Sequence, residues 1–194
     1  MIDDENLKIR YNRFDMFTDS TLTPKEAVRL CALGNLCVEP VRYSALANSV
    51  RYFVSHVIGP SLEVMGQSIE LLRYEGLVEV KEGPEEQDDP VLTITETGRQ
   101  EFTALISANV RHGATELNKL IIALKFRFLH LLSQDQQAEQ VVMLMDLSEN
   151  ELARLSELRT HHANDDGIIV TWLDHDIKMV EEHLIWLEKL HAQL

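Results

Sequence analysis

The chain has 194 residues, 45% of them hydrophobic, and its 32 Asp and Glu outnumber 18 Lys and Arg to give a formal net charge of −14. The length and the hydrophobic share predict an ordered globular protein with one well-buried domain, or a small domain joined to an oligomerisation segment. We expect no membrane partner and no secretory signal, because no apolar run approaches the roughly 18 residues of a bilayer span and residues 1–10 are polar and acidic.

The first elements are a polar arm and a helix with a strong start signal. Residues 1–22 carry only scattered apolar positions, which predicts an N-terminal arm. Thr23 and Glu26 have the spacing of a capping box, and Pro24 suits the first helical position. The helix that begins there is predicted to end near Cys37. Its two cysteines, Cys31 and Cys37, indicate a buried pair of reduced thiols in a cytoplasmic protein.

Two further helices and a hairpin follow. The apolar spacing predicts a second helix from Tyr43 to Gly59, and a third over 61–74 that is closed by Gly76. Two short β-prone runs, 77–81 and 91–94, are joined by a polar loop, and Thr95 then caps another helix. This order of helix, strand, turn, strand and helix start predicts a winged helix-turn-helix.

The second half of the chain is predicted to be entirely helical. One helix begins near Thr115, a helical region runs from Gln134 to about His162 with a break considered near Ser148, and a last helix has a heptad-like apolar seam. We predict that these helices join two copies of the chain into a homodimer; the alternative is that they pack back onto the first half of their own chain. The residues assigned to the dimer are Leu117, Leu120, Ile121, Leu124, Phe128, Trp172, Leu173, Ile177, Val180, Leu184 and Leu187.

Catalytic and metal-binding patterns are weak. His161 and His162 precede several carboxylates, but the spacing of tetrahedral metal sites is missing, and turn chemistry explains these residues. There is no phosphate-binding glycine loop and no nucleophile elbow. We therefore expect no metal, no cofactor and no enzymatic activity.

Several segments together resemble the PadR-like winged-helix transcriptional regulators, in the AphA-like branch with a helical C-terminal dimerisation region. The resemblance covers roughly residues 24–194, and its segments are Leu33-Gly34-Asn35-Leu36, residues 72–78, residues 92–99 and residues 186–190. It implies a mainly α-helical fold with a small β-hairpin wing. The implied organisation is an arm at 1–22, a winged-helix DNA-binding domain at 23–112 and an antiparallel helical (coiled-coil) dimerisation domain at 113–194.

The resemblance also implies that the homodimer places two winged helices on a two-fold operator in double-stranded DNA. Acidity opposes this, since residues 1–112 hold 11 Lys and Arg against 18 Asp and Glu, so phosphate contacts need a local basic cluster. Typical relatives carry Tyr and basic residues on the third helix, where this chain has Gly66, Glu70 and Leu71. The residues predicted to contact DNA are Arg42, Arg51, Ser61, Gln67, Ser68, Arg73 and Lys81.

Two other functions stay open. The resemblance implies a groove between the winged helix and the helical dimer for an aromatic or hydrophobic effector, and here Phe126, Trp172 and Trp186 are the candidate lining residues. The rival function is a protein-interaction module, a winged-helix dimer with weak or no DNA binding. The acidic wing loop and the acidic residues of the third helix favour that rival.

Overall fold

The computed structural model describes residues 21–59, 66–81, 88–113 and 115–194. The predicted arm up to residue 20, the predicted start of the third helix at 60–65, which contains Ser61, and the tip of the wing at 82–87 lie outside the described residues. Over the described part, no helix combines the length and apolarity that a bilayer crossing requires.

Among the described residues, the first two helices end where the local chemistry dictates, and the start of the first is set by its cap. Helix α1 spans Pro24–Val38, and its capping box has formed: Thr23 Oγ1 accepts from the Glu26 amide at 3.3 Å while the Glu26 carboxylate accepts from the Thr23 amide at 2.7 Å. Helix α2 spans Tyr43–Ile58 and ends at Gly59, whose φ of +83° suits glycine. Helix α3 is described over Gly66–Tyr74.

Over the described residues, the sheet has three strands rather than the two of the predicted hairpin. Strands β2 (Val78–Val80) and β3 (Val91–Ile94) pair antiparallel as predicted. The additional strand β1 (Val41–Arg42) pairs antiparallel with the other side of β3, giving the order β1-β3-β2. A strand of two residues has no room for the alternation by which strands are recognised in a sequence.

Four helices follow the sheet: α4 (Glu96–Ser107), α5 (Glu116–Phe128), α6 (Gln134–His161) and α7 (Ile169–His191), with a short 3₁₀ turn at Leu129–Leu131. The helix has no break near Ser148: α6 is continuous through this residue, and Ser148 Oγ donates to the Leu144 carbonyl at 3.1 Å. The chain is thus mainly helical, with a winged helix-turn-helix followed by antiparallel helices, as predicted.

Helix α5 belongs to the core of its own chain. It packs against α1 and α2, and four of its apolar side chains are at most 2% exposed. The approach is close enough that a Cβ on Gly34 would lie 2.5 Å from the Phe128 ring. The sequence predicts these side chains in a seam between two chains, and the structure buries them inside their own chain. They are Leu120, Ile121, Leu124 and Phe128.

Helices α6 and α7 pack antiparallel as a hairpin. Leu173 and Leu187 are fully buried, and Ile177, Val180 and Leu184 are half-buried on the same side of α7. An ion pair of 2.6 Å between Arg159 and Asp174 holds the closed end of the hairpin. The seam predicted for α7 therefore faces α6 of the same chain.

Candidate nucleic-acid interface

Helix α3 has one face in the core and one in solvent. Ile69 and Leu72 are buried, whereas Leu71 is 50% exposed and Tyr74 is 91% exposed. Gln67 and Ser68 lie in the first described turn of α3, but their side chains are outside the described part of the structure. The exposed face has the position of a reading helix in a winged helix-turn-helix.

Glu70, on the exposed face of α3, is paired with neighbouring groups. Arg73 Nη1 lies 3.5 Å from Glu70 Oε2. The Tyr43 hydroxyl, at the start of α2, also faces Glu70; burial and this carboxylate together raise the pKa of Tyr43. Glu70 is therefore partly neutralised by residues beside it, which lessens the repulsion that an isolated carboxylate would exert on phosphate.

The base of the wing is tied to the start of α2. Asp89 accepts from the Ser44 amide at 2.8 Å and from Ser44 Oγ at 2.7 Å, and these hydrogen bonds lower the pKa of Asp89. Arg42 donates to the Asp89 carbonyl at 3.3 Å, and the Tyr43 amide donates to the Pro90 carbonyl at 3.0 Å. Asp89 thus acts as the cap of α2 and is not simply a repulsive charge of the wing.

The predicted basic residues lie on consecutive elements. Arg42 immediately precedes Tyr43, the first residue of α2. The positive charge of Arg73 on α3 lowers the pKa of Tyr43, against the larger effects that raise it, so Arg73 lies near the same end of α2 as Arg42. Arg51 lies two turns further along α2, is exposed, and donates to Asn48 Oδ1 at 3.0 Å. Lys81 is exposed where β2 leads into the wing.

An exposed aromatic pair on α2 was missed by the sequence analysis. The Tyr52 side chain is 67% exposed, and its ring centroid lies 4.0 Å from that of His56, one turn later. The signal in the sequence was the placement of both residues on the side of α2 opposite to Leu46, Val50 and Val54.

The Thr95–Gly98 motif joins the exit of the wing to the turn after α3. Thr95 Oγ1 donates to the Gly76 carbonyl at 2.8 Å, and the Thr95 amide donates to the Leu77 carbonyl at 3.0 Å. A Cβ on Gly98 would lie 2.1 Å from the Leu77 carbonyl oxygen, so the approach requires glycine. The motif fixes the hairpin against α3 and α4.

A cavity of about 550 Å³ lies where α5, α6 and α7 meet the segment 110–113. Ile122, Phe126 and Leu144 form an apolar side. The charged lining residues are Arg111, Lys119 and Arg154, which are basic, and Glu116 and Glu151, which are acidic. Of the predicted effector residues, only Phe126 lines this cavity. Trp186 contacts Phe126 with ring centroids 5.2 Å apart, whereas Trp172 is not among the lining residues.

Helix α7 has a second apolar stripe, which is exposed. Trp172, Met179 and Trp186 recur every seven residues and are 48%, 54% and 47% exposed, and Ile168, one turn before the first of them, is 80% exposed. At 100° per residue the four lie within about 40° of one another and roughly 125° from the seam against α6. One helix therefore presents two apolar faces: its own chain covers the first, and leaves about half or more of each side chain on the second exposed.

Comparisons with known proteins give one family and a set of solved structures. A family model described as "Putative AphA-like transcriptional regulator" matches residues 17–191. No curated protein sequence matches the chain.

The solved structures are similar at low sequence identity. The crystal structure of smu.1604c from Streptococcus mutans UA159 has 15% identity and a TM-score of 0.36, covering 88% of this chain and 99% of that one. Bacillus subtilis PadR in complex with operator DNA has 15% identity and a TM-score of 0.34, covering 89% and 100%. Bacillus subtilis PadR in complex with p-coumaric acid has 15% identity and a TM-score of 0.34, covering 89% and 98%.

Proposed function

Since the family model spans residues 17–191, the chain belongs to the AphA-like family of transcriptional regulators, and from this premise we propose that it reads a two-fold DNA operator as a homodimer. The family match is the single observation that carries the proposal. The winged helix-turn-helix supports it, because two such units related by a two-fold axis would meet successive major grooves about 34–36 Å apart.

The proposed reading surface is the exposed face of α3 with the start of α2 and the wing. Gln67 and Ser68 are proposed to lie nearest the base edges, where amide and hydroxyl groups form hydrogen bonds. Ser61, outside the described residues, is also proposed to contact DNA. Arg42, Arg51, Arg73 and Lys81 are proposed to contact phosphates. We expect Arg51 to contribute most, since Arg42 and Arg73 also bind Asp89 and Glu70 within the chain.

Selection of genomic DNA fragments by the purified protein at about 50 mM salt tests the proposal, because an enriched palindrome would establish both DNA binding and two-fold symmetry. Alanine at Arg42, Arg51 or Arg73 should weaken binding to that site and reduce the slope of log K against log salt by about 0.9 for each phosphate interaction removed. Arg154→Ala, on α6, is the matched control and should leave the slope unchanged.

The homodimer is proposed to form through the exposed stripe of α7. The stripe has the heptad spacing of Trp172, Met179 and Trp186, which suits a second helix packed along it. A second copy is the occupant that the two-fold operator requires. The remaining predicted dimer residues of α5 and the α6-facing side of α7 are proposed to support the interface from within each chain.

The cavity between α5 and α6 is proposed to hold an effector with an apolar body and an acidic group. Phe126 and Leu144 would pack on the body, and Lys119 and Arg154 would neutralise the acid. Trp186, beside Phe126, provides a reporter: cinnamate should quench its fluorescence. Ala123→Phe, which places a ring in the cavity, should abolish quenching, whereas Ala153→Phe on exposed α6 should not.

The second candidate function is a protein-interaction module, and the net charge of −14 favours it. A winged-helix dimer without useful basic charge would bind partner proteins instead of DNA. If no DNA fragment binds at about 50 mM salt while the protein is folded and dimeric, this candidate replaces the DNA-binding regulator.

A further inference from the structure

Among the described residues, Lys125 is the one Lys, Arg, Asp or Glu whose side chain is buried. It lies on α5 and is 0% exposed, although most lysines keep their ammonium group in water. The side chain takes no part in the proposed DNA surface. Its position inside the protein therefore needs another explanation.

The amine connects three helices. Lys125 Nζ donates to the carbonyl oxygen of Ile106, in the last turn of α4, and to Gln140 Oε1 on α6 at 2.7 Å. The Ile106 carbonyl is among the last four of its helix, which have no partner within the helix. Lys125 thus links the end of α4, which belongs to the winged helix, to the second turn of α6.

These partners suit an uncharged amine. A neutral amine has two N–H donors and finds two acceptors here, whereas an ammonium has three donors and a full charge to bury. Burial alone lowers the pKa of Lys125 to about 7. Both protonation states therefore occur near neutral pH.

The charged groups of the surrounding helices do not compensate the ammonium. On α4, Glu101 forms an ion pair with Arg29 at 3.1 Å. On α6, Asp135 and Glu139 are exposed, and on α5 itself Arg127 donates to Asn35 at 2.9 Å. None of them contributes to the shift in the pKa of Lys125. A proton gained by this amine consequently has no counter-charge in the closed structure.

We propose that Lys125 is a proton-operated joint between the winged helix and α6, closed when the amine is neutral and loosened when it gains a proton. Loosening gives the ammonium access to water, at the cost of separating the first turns of α6 from the end of α4. Because α6 pairs with α7 along its length, the whole hairpin shifts with the joint. A fall in pH therefore changes how the α6–α7 hairpin is held against the winged helix-turn-helix.

Hydrogen exchange of the full-length protein without DNA tests the joint separately from DNA binding. After correction for intrinsic rates, amides of 104–110 and 134–142 should open about tenfold more for each unit by which the pH is lowered from about 10 to 8, and the increase should level off below pH 7, where the closed form is protonated as well. In Lys125→Met, which keeps every histidine, opening of these amides should not depend on pH. Equal opening of the wild-type protein at pH 7 and 9, or the same pH dependence in Lys125→Met, would overturn the proposal.

Direct titration of the amine covers the case in which Lys125→Met does not fold. In wild-type protein with ¹³C-labelled lysine, the Cε signal of Lys125 should shift with a midpoint near pH 7, well below the ordinary lysine pKa of 10.5. A Lys125 signal that titrates near 10.5 would show an amine that stays charged at neutral pH, and the joint would not exist.

Discussion

Gly98 shows how one residue sets the geometry of the wing. It lies in the first turn of α4, and its α-carbon faces the Leu77 carbonyl oxygen, with no space for a side chain. The contact holds the entry of β2 against the start of α4. The glycine is needed here for close approach and not for its backbone angle.

Gly98→Ala should lower the free energy of unfolding by about 1–3 kcal/mol, because the new methyl group would force the backbone of β2 and α4 apart. Urea denaturation measures the loss. Thr97→Ala, one residue earlier and exposed, is the control and should stay within about 0.5 kcal/mol of wild type. Equal stability of the two variants would show that β2 has room to move.

The buried amine of Lys125 should make stability depend on pH. Its pKa is about 7 in the folded chain and 10.5 ordinarily, so the unfolded chain binds more protons between these values. The free energy of unfolding of the wild type should therefore rise relative to Lys125→Met as pH increases, by roughly 2 kcal/mol from pH 7 to 9. Thermal unfolding of both proteins at several pH values gives this difference, and parallel curves would contradict it.

Local signals of single residues could be predicted from the sequence, whereas their distant partners could not. Thr23 and Thr95 are recognisable as caps because the amides they bind are three residues away. The bonds from Ser44 to Asp89 span 45 residues, so the capping role of that acid appears only in the fold. The burial of Lys125 is equally a property of packing, since its helical position alone does not reveal it.

Among the elements, α5 connects the two halves of the chain. Its buried side packs on α1 and α2, and Arg127 at its end donates to Asn35 Oδ1 while its guanidinium lies 4.5 Å from the centre of the Phe53 ring. This one side chain therefore binds α1 by a charged hydrogen bond and α2 by a cation–π contact.

Arg127→Met keeps the apolar length of the side chain but removes both contacts, and should destabilise the protein by about 1–2 kcal/mol. Arg154→Met is a matched control, since within the described part of the chain Arg154 forms one hydrogen bond, to the Asn150 carbonyl of its own helix at 3.4 Å. Urea unfolding of the two variants decides the matter. If both are destabilised by the same small amount, Arg127 contributes nothing specific to the docking of α5.

The types of the long elements followed from the sequence, but two details did not. Ser148 begins a sequence that has the spacing of a capping box, yet it is buried within α6, and packing against α7 keeps the helix continuous. The two residues of β1 pair with β3 only because the chain folds back between Arg42 and its partner Val91. Tertiary contacts decide both points.

For the whole molecule, the arrangement of α7 was predicted only in part. Its seven-residue repeat predicts a helix that packs along another helix, but not which helix. The structure uses one stripe for α6 of the same chain and leaves Trp172, Met179 and Trp186 exposed. Periodicity cannot distinguish a partner within the chain from one in a second copy.

Met179→Glu should weaken the proposed dimer ten- to a hundredfold, because it removes an apolar contact and places a charge in the middle of the stripe. Thr171→Glu adds the same charge about 80° away around α7 and should leave association unchanged. Sedimentation velocity over a concentration series measures both. A wild-type protein that is monomeric at about 100 µM would remove the basis of the homodimer.

The seating of α5 among α1 and α2 also determines where this protein divides into exchangeable modules. A fragment that stops at residue 112 would expose the apolar sides of α1 and α2 and should aggregate, whereas one that extends to Leu132 would include α5, which covers them. Chimaeras that graft this winged helix-turn-helix onto another regulator should therefore be joined after residue 132. Helix α5 would then be transferred together with the winged helix-turn-helix.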